Sequence, residues 1–151
     1  MNNSPKVNAY LRNPLTTKAE TEKYIQKIIR EYDQSSIGRF AVILKENNKL
    51  IGFSGLKFRP AEENGYSSIY DLGYRFAEEH WNKGYATEAA KTWLEYGFDK
   101  MKLPVIYACA VSENIGSNKV LQKLGFKFVN QYLANNEPHN WYKIEKENLT
   151  K

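Results

Sequence analysis

The chain of 151 residues is 42% hydrophobic and 14% aromatic, which is enough for the core of one domain and excludes intrinsic disorder. No apolar run approaches the roughly 20 residues of a membrane-spanning helix and no signal-peptide pattern opens the chain, so we expect a single domain over residues 1–151, a cytoplasmic location and no membrane partner. The net charge of +5 is spread as +4, −2 and +3 over residues 1–50, 51–100 and 101–151, without an arginine-rich stripe, which argues against a nucleic-acid partner.

The N-terminal part of the chain predicts a loop followed by a helix. Residues 1–14 are polar and turn-rich, so we expect a loop with a short helical turn near residues 7–11. Thr16 or Thr17 then caps a helix that ends near residues 34–36. Its predicted apolar face consists of Tyr24, Ile25, Ile28, Ile29 and Tyr32.

A hairpin is predicted after this helix. Residues 39–45 and 50–58 are rich in β-branched and aromatic residues, as strands are. The polar residues 46–49 between them supply the turn that joins two antiparallel strands. A charged loop is expected at residues 59–65.

The centre of the chain predicts a strand, a short loop and a helix. Residues 67–76 are strand-like, and apolar residues then recur at the spacing of one helical face from Ala86 to Phe98. The loop contains Gly84, which has no Cβ and lets a ligand approach the backbone. Backbone N–H groups at the start of a helix lack intrahelical partners, and the helix dipole adds positive charge there. The segment therefore predicts a phosphate site, to which Lys83 adds a charge.

The C-terminal part predicts a strand, a helix and a closing hairpin. Residues 105–111 are strand-like, and because a helix separates them from the central strand we expect the two strands to be parallel, with a right-handed crossover. Asn114 or Ser112 caps a helix at residues 115–124, and Gly125 ends it. The closing strands are predicted at residues 127–133 and 140–146.

The string Trp-Asn-Lys-Gly-Tyr-Ala-Thr-Glu-Ala, which begins at Trp81, resembles the acetyl-coenzyme A pyrophosphate loop of the GNAT superfamily of N-acetyltransferases. In the family pattern Gln/Arg-x-x-Gly-x-Gly/Ala, Gly84 and Ala86 match and Trp81 takes the Gln/Arg place. This departure resembles the RimJ/RimL-like branch, which acetylates the N-termini of ribosomal proteins and has many small-molecule relatives.

The resemblance covers residues 6–149 and implies an α/β (α+β) fold, in which helices flank a mixed, mostly antiparallel sheet. The predicted elements match this fold from its second strand onward, so we expect the chain to lack the first strand. An exposed sheet edge is a pairing liability. We therefore expect the N-terminal segment or a partner subunit to cover it, and a homodimer is one way to do so.

The resemblance also implies an activity, the transfer of an acetyl group from acetyl-CoA to a primary amine of a protein N-terminus or a small molecule. The pantetheine arm is expected between residues 67–76 and 105–111, at a distortion of the central strand near Gly73. The residues expected to bind acetyl-CoA are Tyr74, Arg75, Phe76, Trp81, Asn82, Lys83, Gly84, Tyr85, Ala86, Thr87 and Asn114.

Two catalytic residues are expected from the same resemblance. Many family members protonate the leaving thiolate with a tyrosine seven residues after the asparagine of an Asn-x-x-Ser element, but Leu121 stands at that place here. Ser117, three residues after Asn114, is the substitute proposed for the RimJ/RimL-like branch. Asp71 matches the acidic place of the branch and is the expected base, acting through a water. Structural roles for Ser117 and Asp71 remain open alternatives.

The other reactive side chains receive no catalytic role. Cys109 lies in an apolar run, so we expect a buried structural thiol, in keeping with a reducing compartment. His80 adjoins the phosphate loop and is expected at the surface, whereas His139 is expected in a turn. No His/Cys/Asp/Glu cluster has ligand spacing, so no metal is implied.

The acceptor amine and the alternative of a protein without catalysis both stay open. Acceptor pockets of this fold are built by its first helices and last hairpin, here residues 10–13 and 132–141, whose aromatic side chains do not single out one amine. The missing tyrosine and the missing first strand also fit a non-catalytic acyl-CoA-binding sensor or regulatory module.

Overall fold

The computed structural model describes residues 4–10 and 15–150. These residues form the helices α1 Pro5–Asn8, α2 Lys18–Ser35, α3 Tyr85–Asp99 and α4 Ile115–Leu124, and the strands β1 Arg39–Leu44, β2 Lys49–Arg59, β3 Ile69–Phe76, β4 Ile106–Val111, β5 Lys127–Ala134 and β6 Glu137–Ile144. All six predicted strands are present, with ends within three residues of the prediction. The helical turn expected near residues 7–11 lies earlier, at α1, and residues 11–14 lie outside the described part.

The six strands form one mixed sheet in the order β1-β2-β3-β4-β6-β5. Every neighbouring pair is antiparallel except β3 and β4, which are parallel and joined through α3. The last hairpin turns at Asn135 and Asn136, whose φ angles of 51° and 61° fit the tight turn that twisted strands prefer. The predicted mixed, mostly antiparallel sheet is confirmed.

The outer edge of β1 has no strand beside it in the described part of the chain. The expectation that the N-terminal segment or a partner subunit covers it stays a prediction. The described residues of α1 lie near the turn after β3, where Ser4 Oγ donates to a carboxylate oxygen of Glu78 at 3.3 Å and Lys6 pairs with the same carboxylate. The contacts with Glu78 therefore hold α1 at this turn.

The hydrophobic core lies between one face of the sheet and the helices α3 and α4. Leu56 and Leu72 of the sheet pack there with Leu94 of α3 and Leu121 of α4, all of them buried. Burying a leucine side chain contributes roughly 1.5–3 kcal/mol, so this layer fixes the two helices on the sheet. Within the described ranges, no helix combines the length and the apolarity needed to cross a membrane.

Helix α2 begins as predicted but does not bury its apolar face. Thr17 accepts a hydrogen bond from the N–H of Glu20, and the Glu20 carboxylate accepts one from the N–H of Thr17, which is a capping box. No residue of α2 is buried, however, and Tyr24, Ile25 and Ile29 are between 44% and 49% exposed. The periodicity correctly predicted a helix, but its apolar face stays partly exposed. Near its C-terminal end, Glu31 pairs with Lys57 and the Tyr32 hydroxyl donates to the Arg39 carbonyl oxygen.

Candidate active site

Strands β3 and β4 diverge after a single paired position. Asp71 pairs with Tyr107, and no other residue of β3 has a pairing partner in β4 among the described residues. β3 continues to Phe76 and β4 to Val111, so a gap opens between their C-terminal ends. Because the strands are parallel, these ends lie at the same edge of the sheet, and the N-termini of α3 and α4 follow them along the chain. The loss of pairing beyond Asp71 fits the slot that the sequence predicts between these strands.

Gly73 does not interrupt its strand, contrary to the distortion expected there. The register between β2 and β3 runs without a shift, and Gly73 pairs with Gly55. A Cβ at position 73 would overlap the guanidinium of Arg39, which passes over the glycine and donates to Asp71 Oδ2. Gly73 thus provides room for a close approach, and the gap arises from the divergence of β3 and β4.

The start of α3 is open to a ligand. Gly84 is the N-cap residue, with φ 87°, and no side chain caps the first turn. A Cβ at Gly84 would meet no atom within 4 Å. The first-turn N–H groups of Tyr85, Ala86 and Thr87 therefore lack a side-chain partner at the positive end of a helix of 15 residues. This donor set fits a diphosphate.

The Trp81 side chain connects this loop to the end of strand β3. Its indole Nε1 donates to the carbonyl oxygen of Phe76 at 2.8 Å, which ties the loop to the end of β3. The Trp81 side chain is thus a structural support in the place where the family pattern has Gln or Arg. Asn82, with φ 58°, and Lys83 are exposed and continue the loop to Gly84.

His80 is buried, contrary to the expected surface position. The side chain is only 8% exposed, and its ring lies edge-on to the ring of Tyr85 at 6.0 Å between centroids. Neither ring nitrogen has a hydrogen-bond partner among the described residues, and the nearest charge is Glu79 Oε1, at 3.8 Å from Nε2. His80 ends a short 3₁₀ turn, Glu78–His80, and its buried ring packs against Tyr85.

Tyr74 and Ser117 meet across the gap. The phenol of Tyr74 donates to the Ser117 carbonyl oxygen at 3.1 Å, and its oxygen lies 3.2 Å from Ser117 Oγ. Asn114 is the N-cap of α4, and its Oδ1 accepts from the Ser117 N–H at 3.1 Å. Burial raises the pKa of Tyr74 well above its usual value, while the hydrogen bond to Ser117 lowers it, so the phenol stays neutral. This contact could not be predicted from the sequence, because 43 residues separate the two positions.

Asp71 is held by two arginines. The side chain is 5% exposed, and its Oδ2 atom accepts from Arg39 and lies 3.6 Å from Nη1 of Arg59. Arg59 also pairs with Glu63, whose Oε1 accepts a hydrogen bond from the Tyr132 hydroxyl at 2.6 Å. Of these partners, Arg59 and Glu63 fall in the loop that the sequence analysis described only as charged. Their role depends on side-chain contacts between segments that are distant in sequence.

The two predicted catalytic residues approach the gap from opposite faces of the sheet. Alternate residues of a strand point to opposite faces. Leu72 and Tyr74 therefore face α3 and α4, where they pack with the core. Asp71, Gly73 and Arg75 face the other side. This arrangement brings a hydroxyl to one face of the gap and a carboxylate to the other.

The residues predicted to bind the cofactor gather at this same edge. They occupy the end of β3, the loop and first turn of α3, and the N-cap of α4, and comprise Tyr74, Arg75, Phe76, Trp81, Asn82, Lys83, Gly84, Tyr85, Ala86, Thr87 and Asn114. Together they surround an open helix start and the entrance of a gap between strands.

Cys109 and His139 lie on the Asp71 face. Burial raises the pKa of the Cys109 thiol to about 11, with Asp71 and Glu63 adding to the effect, so the thiol is protonated at neutral pH. His139 is 4% exposed and belongs to strand β6, so the expected turn position is wrong. Its Nδ1 lies 2.9 Å from the carbonyl oxygen of Glu137.

A family model described as "Acetyltransferase (GNAT) domain" matches residues 1–127. The uncharacterized N-acetyltransferase p20 of Bacillus licheniformis is 35% identical over 125 residues, which cover 82% of this chain and 67% of that protein. The chain spans only 60% and 63% of two further relatives from Bacillus subtilis.

Two solved structures are similar to this chain. A GNAT-family acetyltransferase from Bacillus anthracis is 28% identical, with a TM-score of 0.78, and the match covers 97% of this chain and 85% of that one. The spermidine N-acetyltransferase of Vibrio cholerae, solved with CoA and spermine, is 23% identical, with a TM-score of 0.75 and coverage of 97% and 86%. At this identity the second likeness shows the fold alone.

Proposed function

Because the chain belongs to the GNAT acetyltransferase family, whose acetyl donor is acetyl-CoA, we propose that it transfers an acetyl group from acetyl-CoA to a primary amine by direct transfer. The gap between β3 and β4 is the observation that carries this proposal. The gap opens beyond Asp71 and lies beside the uncapped start of α3. The extended pantetheine arm of acetyl-CoA fits a slot between two strands, and its diphosphate fits a helix start whose N–H groups have no cap.

The residues around the gap fit the groups of coenzyme A. The amides of Tyr85, Ala86 and Thr87 would hold the diphosphate, and Lys83 would add a cation. Backbone groups of residues 74–76, which do not pair with β4, would bind the pantetheine arm as an added strand does. When bound, acetyl-CoA supplies the acetyl group as a thioester, so that an amide bond forms on the amine while the carbon–sulfur bond breaks.

Ser117 is the proposed proton donor to the leaving sulfur. Asn114 fixes the first turn of α4 through the Ser117 N–H, and Tyr74 contacts both the carbonyl and the hydroxyl of Ser117. The Ser117 hydroxyl is therefore held at the side of the gap that faces the helices. Leu121 is buried in the core at the place of the family's tyrosine, so another residue must protonate the leaving sulfur.

Asp71 is the proposed base for the amine. Both arginine contacts are made by its Oδ2 atom, and Oδ1 makes no hydrogen bond or ion pair within the described ranges. Oδ1 can therefore accept the proton of the attacking amine, directly or through a water. Arg39 and Arg59 hold the carboxylate in place for this step.

The RimJ/RimL-like branch is the assignment that these residues favour. Trp81 stands at the Gln/Arg place of the loop, Asp71 precedes Gly73 and Tyr74 in the pattern of the branch, and Ser117 takes the place of the absent tyrosine. We place the activity in the cytoplasm, where acetyl-CoA is made and a lone thiol such as Cys109 stays reduced. The open edge of β1 supports a homodimer as one further proposal.

The buried Leu121 also supports a second candidate, a protein that binds acyl-CoA as a sensor without catalysis. Incubation of the purified protein with acetyl-CoA and a panel of amines, with free thiol followed over time, separates the two functions. The enzyme releases CoA in proportion to the amine acetylated. A sensor binds acetyl-CoA tightly and releases no thiol with any amine, whereas failure to bind acetyl-CoA at millimolar concentration contradicts both functions.

A further inference from the structure

The face of the sheet opposite α3 and α4 carries a cluster of charged side chains around Asp71. Its cations are Arg39, Lys57, Arg59 and Arg75, and the carboxylates beside them are Glu31, Glu63 and Asp71. Two lysines, Lys127 and Lys143, lie on the same face farther along the sheet, on β5 and β6. Lys57 pairs with Glu31 at 2.8 Å, and Glu63 and Asp71 pair with arginines. Of the four cations around Asp71, Arg75 is the one that makes no ion pair with any described residue.

Arg75 is held in position without a counterion. Its guanidinium lies over the ring of Phe53, 5.2 Å from the centroid, and the side chain is only partly exposed. Burial lowers the pKa of Arg75, Tyr24 counteracts this effect, and the positive charge of Arg39 lowers the pKa again. Stacking on an aromatic ring fixes the plane of a guanidinium but leaves its N–H donors free for a planar anion.

Arg75 also borders the gap. It follows Asp71 by four residues of extended strand, about 13 Å along β3, in the part that no longer pairs with β4. Helices α3 and α4 cover the other face of the sheet, so we expect an amine to approach the gap from the face that carries Asp71 and Arg75. A molecule with its amine near Asp71 extends along this face toward Arg75.

We propose that the amine acceptor also carries a carboxylate, as a short peptide or an ω-amino acid does, and that the Arg75 side chain binds this carboxylate. The inference rests on the proposed function and names its substrate class. A polyamine is disfavoured, because Arg75 repels a second ammonium group. A carboxylate gains a bidentate, charge-assisted pair with Arg75.

The test compares a peptide with and without its terminal carboxylate, and adds a polyamine as a third acceptor. Initial rates of CoA release are measured with triglycine, with triglycinamide and with spermidine, at saturating acetyl-CoA. We expect kcat/KM for triglycine to exceed the other two by about 10-fold or more, which corresponds to one charge-assisted hydrogen bond. The Arg75→Gln variant should bring the triglycine-to-triglycinamide ratio to within about 2-fold of unity. Lys57→Gln, which removes a paired cation from the same face, should keep the wild-type ratio.

The outcomes separate this inference from the proposed function. Transfer that favours triglycinamide or spermidine, or a ratio that Arg75→Gln leaves unchanged, overturns the carboxylate assignment while acetyl transfer stands. If acetyl-CoA binds but no amine is acetylated, calorimetry of the CoA-loaded protein decides: preference for triglycine that is lost in Arg75→Gln supports the site, and equal affinity for both peptides overturns it. Failure to bind acetyl-CoA at all overturns both proposals.

Discussion

The phenol oxygen of Tyr74 lies 3.2 Å from the hydroxyl oxygen of Ser117, and the same phenol donates to the Ser117 carbonyl at 3.1 Å. The contact joins the central strand to the start of α4 at the side of the gap that faces the helices. It fixes the hydroxyl that we propose to protonate the leaving sulfur. In the proposed enzyme, Tyr74 thus has two tasks, one through its backbone toward the cofactor and one through its side chain toward Ser117.

Tyr74→Phe removes this hydroxyl and keeps the ring. We expect kcat to fall about 2- to 12-fold, the rate equivalent of one hydrogen bond of roughly 0.5–1.5 kcal/mol. Ser117→Ala should lower kcat by about 10²-fold or more, because it removes the proposed acid itself. The double variant should resemble Ser117→Ala, since Tyr74 acts through Ser117.

Steady-state kinetics of the three variants, with acetyl-CoA affinity from calorimetry as the control, checks this relation. Additive losses of kcat in the double variant, or a Ser117→Ala variant with wild-type kcat, would show that Tyr74 and Ser117 do not act together in proton transfer.

Asp71→Asn keeps the shape of the side chain and removes its charge. We expect kcat to fall more than acetyl-CoA affinity, because the amide cannot accept the amine proton. The free energy of unfolding should also fall, by about 1–3 kcal/mol, since Arg39 and Arg59 lose a carboxylate while about 30% exposure of their side chains screens part of the effect. Glu63→Gln, which removes only the second partner of Arg59, is the control and should lower stability with little change in kcat. Equal kcat values for both variants would argue against Asp71 as the base.

Gly73→Ala tests the close approach of Arg39. The added methyl overlaps the guanidinium, so the pair between Arg39 and Asp71 must break or the strands must shift. We expect a loss of about 1–3 kcal/mol in urea denaturation. Gly116→Ala serves as the control, because a Cβ there meets only Asn114 Oδ1, at 3.8 Å, and alanine favours a helix by up to about 1 kcal/mol. A Gly73→Ala variant as stable as Gly116→Ala would show that Arg39 does not need this space.

Cys109 should resist alkylation in the native protein. Its pKa of about 11 keeps the thiolate scarce at pH 8, so mass spectrometry should find it unmodified by iodoacetamide until the chain is unfolded. In the unfolded chain the thiol ionises at its ordinary, lower pKa. The contribution of Cys109 to the free energy of unfolding is therefore complete below that value and is lost as the pH rises toward 11. Cys109→Ala should show a smaller loss of stability over this range, and rapid alkylation of the native protein would contradict the raised pKa.

Local sequence signals predicted the elements that they control directly. Thr17 and Glu20 form the expected capping box, and Gly125, at φ 100°, ends α4 as its place after Leu124 indicated. A glycine before a helical pattern likewise indicated the open start of α3. Such features depend on a few neighbouring residues, so a sequence without any alignment can reveal them.

Features that depend on packing between distant segments could not be predicted in this way. The helical pattern of α2 gave no sign that Ile25 and Ile29 stay exposed, because periodicity indicates a face and not its partner. The polar neighbours of His80 in the sequence likewise gave no sign that its side chain is only 8% exposed. The same limit applies to Arg39, which reaches Asp71 by passing over a glycine of another strand.

The binding of acetyl-CoA at the start of α3 is the central claim, and isothermal titration calorimetry of Gly84→Glu tests it most directly. Gly65→Glu is the matched control, because Gly65 also has a positive φ, 79°, and open space beyond its Cα, but lies in the loop between β2 and β3. We predict that the wild type and Gly65→Glu bind acetyl-CoA with similar affinity and that Gly84→Glu loses binding by at least about 100-fold, through clash and charge repulsion with the diphosphate. Equal affinity of Gly84→Glu and Gly65→Glu for acetyl-CoA would contradict the account.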